Sequence, residues 1–140
     1  MRNFKHFGML LLLVLFFGAC NIPKDPNNSY ENAKISSLRV GIVSKTDSTT
    51  TSFEKKLVAN FAEQEKMQTQ FTTDNETELV KKLENYQLDI VLGGFEKKSN
   101  WKTKVGMTKP YDDNHVLFIP RGENRLLYQL EKFLDKNQKP

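Results

Sequence analysis

A chain of 140 residues sets an expectation of about one domain, and its net charge of +4 comes from 21 basic against 17 acidic side chains. Arg2 and Lys5 lie in the first twenty residues, so the rest carries 19 against 17, a balance too even to form the concentrated basic surface that nucleic acid requires. A single cysteine excludes an internal disulfide or a cysteine-rich zinc site, and His6 and His115 are too few for a histidine metal centre; no cofactor is expected.

Residues 1–20 have a basic start, an apolar run over Met9–Phe17 and small residues before Cys20, the pattern of a secretory signal. Nine apolar residues fall well short of the roughly 20 that span a bilayer as a helix. Gly18-Ala19-Cys20 resembles the lipobox of bacterial lipoproteins, in which the cysteine becomes the new N-terminus and is acylated. The resemblance implies that Cys20 ties the protein to the outer side of a bacterial membrane, since each buried acyl methylene adds about 0.8 kcal/mol of affinity. Residues 21–37, with two prolines, four asparagines and three serines, read as a flexible tether. The folded domain is then expected over 38–137.

Leu38–Val43 is short and β-branched, a buried strand. After a hydroxyl-rich loop at 46–51, Thr51-Ser-Phe-Glu54 has capping-box spacing, and Phe53, Leu57, Val58, Phe61 and Ala62 follow as one helical stripe. Met67–Thr72 alternates as a second strand. Asp74 or Asn75 caps a second helix with Leu79, Val80, Leu83 and Tyr86 inward, and Leu88–Leu92 is a third strand ending at Gly93-Gly94. The lysine-rich segment 95–114 holds the one tryptophan, Trp101. His115–Ile119 is a fourth strand, and Asn124 caps a last helix whose stripe is Leu126, Leu127, Leu130, Phe133 and Leu134. The order β-α-β-α-β, then one antiparallel strand and a C-terminal helix, predicts an α/β fold with a single open, mostly parallel sheet.

In such sheets ligands sit beyond the carboxyl ends of the strands, here the loops at 44–52 and 73–75 and the segment after Gly93-Gly94. Gly93-Gly94 either lets a ligand approach the backbone or simply makes a tight turn. No enzyme is expected. His115 has no motif-placed partner, Asp112-Asp113 is a carboxylate pair on a turn, and no phosphate-binding or dinucleotide fingerprint occurs.

Leu38-Arg-Val-Gly-Ile42, the helix start Phe53-Glu-x-x-Leu57 with its Phe-Ala pair, Leu88-Asp-Ile-Val-Leu-Gly-Gly94 and Lys109-Pro-Tyr111 together resemble family 3 of the bacterial extracellular solute-binding proteins. The Phe53–Ala62 stretch is also similar to the solute-binding module of membrane-bound lytic murein transglycosylases, whose catalytic domain is not expected here. The resemblance implies one lobe of a type II periplasmic-binding-protein fold. Family members insert a second lobe after the Pro-Tyr motif, whereas here only Asp112-Asp113-Asn114 separates Tyr111 from the returning strand.

The family pattern Gly-Met-Thr-x-Thr-x-x-Arg, continuing to Ser-x-Pro-Tyr, aligns without a gap from Gly94 to Tyr111. Trp101 then falls in the place of the arginine that holds a ligand carboxylate, and Glu96 and Lys98 in those of the two threonines. The ligand- or partner-binding residues implied are Gly94, Lys98, Trp101, Thr108 and Tyr111. Lys98 lacks the guanidinium fork, and Trp101 offers one N–H and a flat face that stacks on a ligand, anchors a partner or covers the sheet edge.

The expected function is a lipid-anchored, extracytoplasmic solute-binding-like protein that binds a small molecule weakly or presents it to a transporter or envelope partner. The alternative is an interaction or sensor lipoprotein whose former cleft docks a protein.

Overall fold

The computed structural model describes residues 25–137. The leader, with Cys20, lies outside the described residues.

Five strands form one sheet in the order β2-β1-β3-β5-β4: β1 (Leu38–Val43), β2 (Thr69–Asp74), β3 (Ile90–Glu96), β4 (Gly106–Met107) and β5 (His115–Ile119). β1 is parallel to both β2 and β3, while β5 runs antiparallel to β3 and β4 antiparallel to β5. The chain moves outward from β1 to β2, then back across β1 to β3. Right-handed crossovers in opposite directions must lie on opposite faces. The two buried clusters show this. Leu38, Val40, Ile42, Ile90, Leu92, Leu117 and Ile119 point to the face covered by α2 (Ser48–Gln64) and α4 (Asn124–Asn137). Their strand neighbours Val43, Val91, Phe95, Val116 and Phe118 point to the face covered by α3 (Glu76–Glu84). The period of two along each strand thus loads both faces, as buried strands require. Phe95 and Phe118 stack at 3.7 Å between ring centroids.

The single α/β sheet is as the sequence predicts, with an antiparallel β5 and a C-terminal helix; four local features differ. First, α2 begins at Ser48. Asp47 caps it, its carboxylate accepting from the amides of Thr49 (2.8 Å) and Thr50 (3.3 Å), so Thr51-Ser-Phe-Glu54 lies inside the helix and is no capping box. Second, β2 sits two residues later than its alternation suggests, and β3 continues through Gly93-Gly94 to Glu96. Third, Asn75, rather than Asp74, caps α3 by accepting from the Glu78 amide, and Tyr86 lies beyond its end with φ 56°, its hydroxyl donating to the Arg121 carbonyl. Fourth, Asn124 is the first helical residue of α4 rather than its cap.

The largest departure lies in the expected tether. Ser29–Ile35 is a helix, α1, with Ser29 buried at its start and Tyr30 and Ala33 buried in the first cluster. Its N-terminal amides find their acceptor 94 to 96 residues away: the buried Glu123 carboxylate accepts from the amides of Asn27 (2.6 Å) and Ser29 (2.8 Å). In return Asp25 accepts from the Arg125 amide at 2.7 Å, in the first turn of α4, while its own amide donates to the Gly122 carbonyl. Each helix start is therefore capped by a carboxylate from the other segment, which satisfies amides that a helix cannot pair internally. The folded unit includes 25–37.

Candidate functional site

The carboxyl ends of β1, β2 and β3 and the first residues of α2 and α3 meet at one rim, where strand order reverses between β1 and β3. At its centre is Gly94. Its φ of +61° is a left-handed backbone that disfavours a side chain, and a Cβ there would stand 3.1 Å from the Thr50 methyl. This backbone aims the Gly94 amide at the carboxylate of Glu54, 3.2 Å from each oxygen.

Glu54 is fully buried in α2. Its other donor is the Tyr111 hydroxyl, at 2.8 Å. Burial raises the Glu54 pKa, against the lowering pull of the Tyr111 and Gly94 hydrogen bonds and the nearby His115. Burial and then the Glu54 charge push the Tyr111 phenol far up, so it remains a donor. Glu54 therefore pins Tyr111 and the Gly94 turn to α2 from beneath the rim. The hydroxyl of Thr46, at the same rim, is buried with no hydrogen-bond partner among the described residues.

Two clefts open on either side of this tie. One, of about 320 Å³, is lined by Thr49, Thr50, Phe53, Tyr111, Asp112 and His115. Phe53 is half exposed, its ring 5.6 Å from that of Tyr111, and the Tyr111 and His115 rings lie 6.0 Å apart and nearly parallel. Asp112 accepts from the His115 and Asn114 amides and meets the His115 ring at Nδ1, 2.7 Å away. Partial burial raises its pKa, but these contacts outweigh that and leave it lowered. The cleft thus offers aromatic faces, hydroxyls and a carboxylate.

The other cleft, of about 350 Å³, is lined by Gly93, Gly94, Lys98, Ser99, Trp101 and Glu76 among others. The indole N–H of Trp101 donates to the Glu76 carboxylate, Lys104 sits 5.6 Å from its ring centroid, and the ring packs on the cluster that contains Phe95 and Val105. Ser99 accepts from the Trp101 amide and starts the short 3-10 turn Asn100–Thr103 that presents the ring.

Of the residues singled out in the sequence, Gly94, Lys98 and Trp101 line this second cleft, and Tyr111 lines the first. Thr108 lines neither: it is buried, its hydroxyl donating to the Lys109 carbonyl and accepting from the Leu117 amide, where it fixes the turn between β4 and β5. Cys20 lies outside the described residues. Sequence reasoning missed Glu54, whose signal was present. It stands four residues before Val58 and seven and eight before Phe61 and Ala62, on the stripe that α2 buries. Phe53, assigned to that stripe, is one position off it. Among the described residues no group of three or more His, Cys, Asp or Glu side chains is placed to hold a metal ion.

The sequence profile of the bacterial extracellular solute-binding proteins, family 3, matches residues 40–139, and the chain belongs to that family. No curated protein is similar enough in sequence to match. Among solved structures, a point mutant of the arginine-bound domain 1 from TmArgBP superposes with a TM-score of 0.66 at 16% identity, covering 76% of this chain and 95% of that one. The arginine-bound form of the same domain gives 0.62 at 16% identity, over 71% and 91%. An ancestral cationic amino acid solute-binding protein gives 0.51 at 23% identity, over 61% of this chain and 41% of that one. These likenesses show the fold: a single-lobe solute-binding domain.

Proposed function

We propose, from this membership and this rim, that the protein is a lipid-anchored extracytoplasmic lobe that holds a small molecule weakly or presents it to a transporter or envelope partner. The observation that carries the reading is the direct return from Tyr111 into β5 through Asp112-Asp113-Asn114, so that among the described residues no second lobe faces the rim. Closure of two lobes excludes water and strengthens every polar contact inside. Here both clefts stay open to solvent, so a ligand keeps one side hydrated.

The clefts favour a small ligand over a flat protein footprint. Trp101 and Tyr111 do not merge into one apolar patch but line separate concavities with polar groups converging on each. Trp101 does not stand in for a carboxylate-binding arginine, because its one N–H already donates to Glu76, whose carboxylate repels a second anion placed beside it. The reading is non-enzymatic, with Gly94, Lys98, Trp101 and Tyr111 as ligand-facing residues and Glu54 as the group that positions two of them.

Titration calorimetry on the monomeric soluble domain tests this. Unmodified amino acids should bind no more tightly than about millimolar, roughly −4 kcal/mol. Micromolar binding by a monomer overturns the single-lobe argument.

A further inference from the structure

We infer that the anchored protein stands with the base of its sheet on the membrane and its ligand rim turned away, so that whatever completes the open clefts approaches from the aqueous side. The inference rests on acylation of Cys20.

The register of β5 fixes which end is which. His115 lies opposite Glu96, at the rim end of β3, and Phe118 opposite Val91, at its base. The turn after β5, at 120–122, is therefore at the base, as the hydrogen bond from Tyr86 just before β3 to the Arg121 carbonyl confirms. Asp25 is bound at this pole twice, its amide donating to the Gly122 carbonyl in the turn and its carboxylate accepting from the Arg125 amide at the start of α4. The chain therefore leaves the folded unit at the pole opposite Gly94, Tyr111 and His115.

Only five residue steps separate Cys20 from Asp25. Fully extended, they reach about 17 Å. The six residues of β1 rise about the same distance from base to rim. A leash that length is used up in running alongside one strand, with nothing left to pass round the helices that flank the sheet. The acylated chain therefore holds the base nearer the headgroups than the rim. A flexible tether over all of 21–37 would have let the rim come as near; the capping of α1 by Glu123 and of α4 by Asp25 prevents that.

The test uses the full lipoprotein in anionic vesicles whose headgroups carry a nitroxide quencher. Acylation blocks the thiol of Cys20, so a fluorophore can be placed on a single new cysteine, either Gln87→Cys at the base or Asp113→Cys at the rim. Mass spectrometry of the N-terminal peptide reports the acyl chains. The expected result is loss of fluorescence at the base and its retention at the rim. A flexible insert of about twenty residues between Lys24 and Asp25, with an r.m.s. span of about 25 Å, should bring rim quenching up toward that at the base. Equal or greater quenching at the rim in acylated protein with the native leash overturns the orientation and leaves the anchor intact. Absence of acyl chains on Cys20 overturns the anchor, and the orientation with it.

Discussion

Replacing Glu54 by glutamine keeps the shape of a fully buried side chain and removes its charge. The amide oxygen still accepts from Gly94, and the amide nitrogen donates to the Tyr111 oxygen once that hydroxyl turns, so no partner is orphaned. What changes is the pH dependence. Burial raises the folded-state pKa of Glu54 above its unfolded value of about 4.3. The folded state therefore holds its proton to higher pH than the unfolded state, and wild-type stability falls as pH rises from about 4.3 through the folded pKa. Each unit of elevation is worth about 1.4 kcal/mol.

The stability of Glu54→Gln relative to wild type should accordingly climb across that window and level off above it. Asp47, Asp74 and Asp112, all with lowered pKa values, lose stability on the acid side instead, and they do so in both proteins, so the difference cancels them. Urea unfolding of the soluble chain from Asn21 at several pH values between 4 and 8 gives the difference directly. Tyr111→Phe should widen the window, because it removes a donor that holds the Glu54 pKa down, and it should cost about 1–2 kcal/mol near neutrality. A difference between Glu54→Gln and wild type that stays flat, or falls with pH, would refute the account of Glu54 as a buried, proton-retaining tie.

Gly94→Ala places a methyl 3.1 Å from Thr50 on a left-handed backbone and should cost roughly 1–2 kcal/mol in urea unfolding; a neutral result would mean the rim backbone relaxes freely. Glu123→Ala should cost about 2 kcal/mol and speed amide exchange across Ser29–Ile35 while leaving β3 protected, and unchanged exchange there would refute the capping account. Cys20→Ala should shift the protein from the membrane to the soluble fraction, and retention on the membrane would rule out the lipid anchor.

Much of the fold was legible because it follows from short-range pattern. The apolar runs at Leu38–Val43 and His115–Ile119, the stripe Leu126–Leu134 and the alternation of strand and helix each encode burial through a period of two or 3.6, and crossover handedness then orders the sheet. The missing lobe was legible too, as three residues where a domain would be inserted. What the sequence alone does not carry is any pairing between distant polar groups. Nothing in the local pattern marks Glu123 as an acceptor, and Asn27-Asn28-Ser29 reads as tether; only folding brings the carboxylate to those amides and converts the tether into a helix. Glu54 reads as a cap because Thr51 stands three residues before it. Asp47 reaches the helix start first, and the register it sets turns Glu54 inward beneath Gly94 and Tyr111. A polar side chain is specified by the partner it meets, and partners 40 to 96 residues apart meet only in the tertiary structure.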